Sequence, residues 1–440
     1  MARDAALAGS DLIEVWASPE PSIARLDAAA VRDQGRETGF RARFSDIDAI
    51  ADLGVAATRF PLLWEHGDLD WAAPRLERLR ERGVAPIVTL LHHGSGPFET
   101  NVLDPEFPER FAAYAERVAR RFPWVRRWTP INEPLTTARF STLYGVWFPN
   151  LRDDRAFGRA MVHQTRAQQL AMERIRRIVP DAAFILTDDL QRFTAADSGV
   201  EPYVGFLRER VFLSVELVAG RVDERHPLFA FLHAACGITA AEFARMRAQP
   251  TPPDIVAFDH YVHSERYVFT SPDGRTGDVP AVYVAGEPPP RCAPLLRAAW
   301  ERLRLPLALG EVHIHAPADE RVRWLAQHAD DVAAVRAAAV DMRAIGAWAA
   351  FGLVDWHSLL RRREGIAEDG IFTFAGADGV PQRTAVADAV AALVRGEPIA
   401  GAASGWWERE GRLRSPHELL ALAEAGVAEG AHILAAEALV

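Results

Sequence analysis

The residues best equipped for chemistry are two glutamates, each placed where an apolar run ends. Glu133 closes the stretch Trp128-Thr129-Pro130-Ile131-Asn132-Glu133-Pro134, in which an amide precedes the acid and a helix-restricting proline follows it. Glu311 follows Leu305-Pro306-Leu307-Ala308-Leu309-Gly310. A short apolar run that stops at a polar residue reads as a buried strand emerging into a loop, so both carboxyl groups are expected at strand ends. Two carboxyls displayed in this way suit the cleavage of a glycosidic bond. In a retaining mechanism one is ionised and attacks, the other is protonated and assists departure, and they stand about 5–5.5 Å apart so that no water fits between. Identical side chains must then titrate differently, through burial, neighbouring charge and hydrogen bonding. Histidines form a second constellation: His313-Ile314-His315, the His92-His93 pair, His260, His263 and His357 beside Asp355 all fall near expected strand ends. His-x-His with an aspartate is a zinc-binding pattern in barrels, which makes a metal-dependent hydrolase a competing reading. Against it, the His-x-His follows the seventh strand candidate rather than the first, and no Lys is available for carbamylation.

Positioning these groups falls to a regular alternation of short apolar runs with longer segments of helical period. Eight strand candidates can be counted: Leu12 to Trp16, Ala56 to Phe60, Ala85 to Leu91, Arg127 to Ile131, Ala183 to Thr187, Asp254 to Phe258, Leu305 to Leu309 and Gly346 to Phe351. Their order predicts a closed parallel (β/α)8 TIM barrel, in which residues 178 positions apart, Glu133 and Glu311, converge on one mouth. Between the runs, Pro108 to Arg121 places Phe111, Tyr114, Ala115 and Val118 on one helical face, and Asp330 to Ile345 is alanine-rich. The excursion from about Asp188 to Pro253 carries helical patterns of its own and is expected to shape a substrate mouth. Residues 1–397 are read as the barrel and 398–440 as a short C-terminal helical extension packed on it. In the extension, Ser415-Pro416-His417-Glu418 forms a capping box with proline at the first helical position. The apolar positions Leu419, Leu420, Leu422 and Ile433 favour docking on the barrel and leave a homo-oligomer contact open.

Composition narrows the chemistry further. At 440 residues and 49% hydrophobic the chain can bury a barrel-sized core. The formal net charge is −10 and the arginines are dispersed, which argues against nucleic-acid partners. All 50 basic residues are Arg, so Schiff-base, pyridoxal phosphate and P-loop chemistries lack their amine, and no cofactor is expected. Cys236 and Cys292 are too few for a disulfide framework and lack metal-type spacing, which suits a reducing compartment. The first residues carry no apolar signal core, and no run approaches about 18 apolar residues. A cytoplasmic protein with no membrane partner is the expectation.

Taken together, these motifs resemble glycoside hydrolase family 1, the retaining β-glycosidase barrels, over roughly residues 12 to 395. Trp128 to Pro134 is similar to the family's Trp-x-Thr-x-Asn-Glu-Pro, with Thr129 one place early and Pro130 where the family has Thr. The resemblance implies Glu133 as acid/base, Asn132 on the sugar 2-hydroxyl and Glu311 as nucleophile, although Leu-Gly-Glu-Val-His stands where the family has Ile-Thr-Glu-Asn-Gly. Trp348-Ala-Ala-Phe-Gly-Leu-Val-Asp355-Trp356 keeps the nine-residue spacing of the family's sugar-binding Trp…Glu-Trp, with Asp355 replacing the Glu. One methylene less predicts a specificity other than simple glucose recognition. Thr58-Arg59-Phe60 resembles the family's Arg-Phe-Ser and Asp259-His260-Tyr261 its Asn-x-Tyr, which implies that Arg59 and Tyr261 hold Glu311. His92-His93-Gly-Ser-Gly-Pro97 resembles its His-x-x-x-Pro: spacing from Pro97 favours His93, spacing from Thr89 favours His92, and the choice stays open. The family's sugar-binding Gln after strand one is missing, and Glu20 is the substitute on offer. Trp348, Trp356 and Trp147 offer flat faces for a pyranose ring. His163 is read as a structural hydrogen-bonder. The pattern is closest to divergent family-1-like modules joined to nucleotide-sugar reductases, and no reductase half is present in this sequence. A retaining glycosidase or transglycosidase acting on a small glycoside or oligosaccharide is therefore the main expectation. A catalytically silent sugar-binding barrel is the alternative that the altered subsites also fit.

Overall fold

In the computed structural model, described over residues 13–270, 276–280, 291–399 and 405–408, eight parallel strands close into a barrel. They are β1 Glu14–Ala17, β2 Ala57–Pro61, β3 Ala85–His92, β4 Arg127–Asn132, β5 Ala183–Asp189, β6 Ile255–Tyr261, β7 Leu307–His313 and β8 Met342–Ala347. Each pairs with its neighbours in chain order, and β1 closes the ring by pairing with β8 on one side and, through Trp16 and Ala57, with β2 on the other. One main helix follows each strand: α1 Ser45–Ala51, α2 Leu69–Glu81, α3 Phe107–Arg121, α4 Asp154–Ile178, α5 Ala240–Ala248, α6 Ala293–Leu303, α7 Ala318–Ala337 and α8 Ala385–Val394. Side-chain caps start several of them, as when Asp68 accepts from the Trp71 amide at 2.9 Å and Asp153 from the Ala156 amide at 2.7 Å. The fold is the expected (β/α)8 barrel.

Two apolar layers hold it. The larger lies between strands and helices, where α3 buries Phe111, Tyr114, Ala115 and Val118 as its periodicity requires. The smaller fills the barrel interior, where Trp16, Ala57, Ile87, Ile185, Ile255, Ala257, Ala308 and Ala344 pack together, mostly small residues around one fully buried indole. The Trp16 ring N–H donates to Glu14 at 2.8 Å, and Arg127 pairs with the same carboxylate at 2.7 Å, which seals the N-terminal end of the barrel. Because side chains alternate along a strand, the inward face of β2 runs from Ala57 to Arg59, and that of β6 from Ala257 to Asp259 and Tyr261. The interior thus turns from apolar to charged within one step along the strands.

Two expectations need correction. Strand eight is Met342–Ala347, not Gly346 to Phe351, because the small residues Ala344 and Gly346 fit between neighbouring strands while Trp348 already belongs to the mouth. The alanine-rich segment Asp330 to Ile345 is not one helix: α7 begins earlier, at Ala318, and ends at Ala337, and the remainder turns into β8. The excursion after β5 carries the helices Glu201–Arg210, Leu213–Val218 and Ala240–Ala248, and its strand Arg192–Ala195 pairs with Glu265–Thr270, which pairs in turn with Thr276–Pro280. Of the C-terminal extension, residues 405–408 lie against α7, with Trp407 buried edge-on to Trp324 at 4.9 Å and donating to Gln327 at 2.8 Å. The capping box at Ser415 and the apolar positions after it lie outside the described residues. Cys236 and Cys292 are both buried and unpaired. Among the described residues no helix is long and apolar enough to cross a membrane.

The interior layer depends on its one large side chain. Trp16→Ala is expected to lower stability by about 3–5 kcal/mol in guanidinium unfolding, and a loss below about 1 kcal/mol would show that the layer is not closely packed.

Candidate active site

Glu311 reaches the barrel mouth through an irregularity in β7. Leu307, Ala308 and Leu309 face Val256, Ala257 and Phe258 of β6, but the next pair is Glu311 with Asp259, so Gly310 is an extra residue in the ladder. Strict alternation would have turned Gly310 inward and Glu311 out; the bulge reverses this and aims the carboxylate into the barrel. There it is 3% exposed and receives two donors, the Arg59 guanidinium on one oxygen and the Tyr261 hydroxyl on the other. The bond from the guanidinium is charge-assisted, the stronger class of hydrogen bond. Tyr261 itself is pushed well above the ordinary phenol range, by burial first and then by the Glu311 charge, so it remains a donor.

Glu133 is placed by a strained turn. Its φ is +43°, left-handed for a residue that precedes proline, and the surroundings hold it there. The Glu133 amide donates to the Thr187 hydroxyl at 3.2 Å, its carbonyl accepts from the Thr137 amide at 2.9 Å, and the Leu135 amide donates to Asp188 at 3.1 Å. The side chain is 6% exposed and lies 3.3 Å from His93 Nε2. Burial first, then the charges of Glu311, Asp189 and Asp188, pushes its acid well above the usual carboxylate range. One carboxyl is thus bound by donors and the other driven toward its protonated form, the division that double displacement requires.

The two acids are joined through Arg59. Its second terminal nitrogen donates to the Asn132 side-chain oxygen, which also accepts from the Thr187 hydroxyl at 2.8 Å, while the Asn132 amide nitrogen faces His92 Nε2 at 3.0 Å. Both histidines after β3 are present. His92 stacks on Trp348 with centroids 5.8 Å apart, and His93 lies against Glu133 and Trp147. Burial holds His92 well below its ordinary pKa and His93 down to about 3, so both are neutral. Trp348 packs with Tyr261 and Trp356 at the mouth. Trp147 is 1% exposed and its ring nitrogen is committed to the Leu359 carbonyl at 2.9 Å, so it supports Trp356 from behind rather than facing a sugar.

Two of the expected substrate contacts are otherwise engaged. Both Asp355 oxygens are occupied, one by Arg32 at 3.0 Å and the other by the amides of Glu364 and Ile366 at 3.2 and 2.9 Å. It therefore ties down its own loop, and the shortened side chain explains why. Glu20 is 3% exposed and accepts from the Ser22 amide at 2.7 Å. Burial, reinforced by the Glu311 charge, pushes its acid up to about 8, which leaves a neutral carboxyl where the resemblance calls for a neutral carboxamide. The histidines of the metal reading turn elsewhere: His313 and His315 clasp Glu368 at 3.2 and 2.8 Å. His163 bonds the Val102 carbonyl at 2.9 Å. Among the described residues no group of three or more His, Cys, Asp or Glu is arranged to hold a metal ion. Thr187 and Asp188 are residues beside the two acids that motif reading did not single out, and Asp259 was matched to the family's Asn without a role of its own. Their positions at the C-terminal ends of β5 and β6 were the available signal.

Glu20 supplies a pH test. A carboxyl whose folded pKa is raised binds more protons in the folded state, so its contribution to stability is lost as pH climbs from its unfolded value toward about 8. Glu20→Gln is expected to leave stability at pH 5 nearly unchanged and to raise it by a few kcal/mol at pH 8.5, as measured by chemical unfolding. Equal stability at both pH values would refute the neutral assignment.

The pattern of Glycosyl hydrolase family 1 matches residues 40–204, the span that includes Arg59, His92, Asn132 and Glu133. Beta-glucosidase A of Thermotoga maritima is 31% identical over 152 residues, 31% of this chain and 34% of that protein. The bifunctional beta-D-glucosidase/beta-D-fucosidase of Bifidobacterium breve is 31% identical over 212 residues, 43% of this chain and 45% of that one. The chain therefore spans about a third to under half of the length of these curated relatives. A Thermotoga maritima family 1 glycoside hydrolase solved with a cyclophellitol analogue transition state mimic superposes with a TM-score of 0.71 at 18% identity, covering 88% of this chain and 98% of that one. This likeness is one of fold. The matched sequence pattern and the related β-glucosidases make this chain similar to glycosyl hydrolase family 1 over residues 40–204, and the barrel is the one those proteins share.

Proposed function

We propose that the protein is a retaining glycosidase acting on a small glycoside, with Glu311 as nucleophile and Glu133 as acid/base. The observation that carries this reading is the contrast between the two acids. Glu311 is bonded by Arg59 and Tyr261, while burial and like charge press Glu133 toward its protonated form. In the first step a Glu311 oxygen bonds to the anomeric carbon, the glycosidic C–O bond breaks, and the Glu133 proton goes to the departing oxygen. In the second, Glu133 takes a proton from water, the water oxygen bonds to the anomeric carbon, and the ester to Glu311 breaks. An acceptor sugar in place of water gives transglycosylation. Asn132, the neutral histidines, Trp348 and Trp356 supply hydrogen-bonding and ring-stacking groups around the reacting centre.

A second reading, a sugar-binding barrel without turnover, draws on Asp355, whose oxygens are taken by Arg32 and the loop amides. Covalent chemistry separates the two. Glu311→Gly is expected to abolish turnover of an activated aryl glycoside and azide to restore part of the rate, while a 2-fluoro glycoside labels Glu311 in the unaltered protein. Full activity of the variant would overturn the nucleophile assignment, and failure to label across a panel of glucosyl, galactosyl, fucosyl, xylosyl and rhamnosyl donors favours the silent barrel.

A further inference from the structure

A third carboxyl lies between the two proposed catalytic acids. Asp259 follows Ala257 on the inward face of β6, is 0% exposed, and stands opposite Glu311 in the ladder. No N–H or O–H of another described residue reaches either of its oxygens, and Arg59 stops 3.8 Å short. The Glu133 carboxyl lies within hydrogen-bonding reach of it. Ionised carboxylates only accept, so a bond between two carboxyl groups requires that one of them carry a proton. The space for Asp259 is made by the bulge: a Cβ on Gly310 would fall 2.6 Å from Asp259 Oδ1. The glycine before Glu311, a departure from the family's pattern, is thus the steric counterpart of this acid.

Resting on the reading of Glu133 as the acid, we propose that Asp259 is a positioning residue that shares one proton with Glu133 and keeps it on the pair until the leaving oxygen takes it. Every element around the pair contributes charge or dipole. Arg59 of β2 is the neighbouring cation, and Glu311 of β7 is the anion that most opposes ionisation of both acids after burial itself. Asp188 and Asp189 at the end of β5 add negative charge, whereas His92 and His93 after β3 are neutral and Tyr261 of β6 keeps its proton. The charge balance suits the step. As Glu311 gives up its charge to the new C–O bond and the shared proton leaves with the departing oxygen, the pair gains the charge that Glu311 loses. Arg59 stays cationic, and the net charge of the cluster is unchanged.

The test is reciprocal. Infrared titration of the carboxylic acid band in the full chain should show the Glu133 midpoint in Asp259→Asn, and the Asp259 midpoint in Glu133→Gln, each at least about one pH unit below that of the intact pair. Gly310→Ala, which keeps every carboxyl but crowds Asp259, should lower the pair's midpoint in the same direction. On a turned-over glycoside, the alkaline limb of kcat/KM should move to lower pH in Asp259→Asn, which loss of packing alone would not do. Midpoints that stay in place when the partner is replaced would overturn the shared proton. A reciprocal shift in a chain that turns over no glycoside would uphold it and refute the glycosidase reading instead.

Discussion

One buried guanidinium organises the mouth of this barrel. Arg59 is 2% exposed and extends one nitrogen to Glu311 and the other to Asn132, the residue before Glu133. Four carboxyls, of Glu20, Glu133, Asp259 and Glu311, surround that single cation. Removing so many ionised groups from water with one counter-charge would cost more than their attraction to it returns. Some of them must therefore be neutral, and burial drives Glu20 and Glu133 that way. Too few cations thus stand among these acids, and Glu311 holds the shortest ion pair with Arg59, while Asp259 lies 3.8 Å from the same guanidinium.

The rest of the architecture serves this arrangement. Alanines, isoleucines and one indole pack the barrel interior, and the charged groups of the site lie above that layer. Several departures from regular geometry fall at the site: the extra residue at Gly310, the left-handed turns at Glu133 and His93, and the close approach of Arg59, Thr187 and His92 to Asn132. Left-handed residues also precede β7 and β8 at the other end, at Arg304 and Ala339, so what marks the mouth is that its irregular turns and bulge carry the acids.

The fold was legible because its signal is local. Runs such as Ala85 to Leu91 and Ala183 to Thr187 are apolar on both faces, as strands covered by helices outside and packed inside must be. Strand eight escaped because Met342-Arg343-Ala344-Ile345-Gly346 is built from small residues with one charge, less hydrophobic than the Trp348 to Phe351 segment that lines the mouth. The two acids and Arg59 were legible from strand-end position and spacing. Asp355 shows the limit: its spacing from Trp348 pointed to a sugar contact, but its partner Arg32 lies 323 residues away and no local pattern could announce it. The role of Gly310 was equally hidden, since a bulge is visible only once β6 lies beside β7.

Behind the wall that carries Asp259 stands a column of aromatic rings. Its sequence neighbour His260 points outward and stacks on Trp324 of α7 at 5.8 Å, and Trp407 covers Trp324 in turn. Trp407, beyond residue 397, is thus wedged against the helix that backs the strand holding the third acid. A boundary drawn at 397 would remove that wedge, and the barrel's tolerance for trimming is set there by an indole rather than by the last helix.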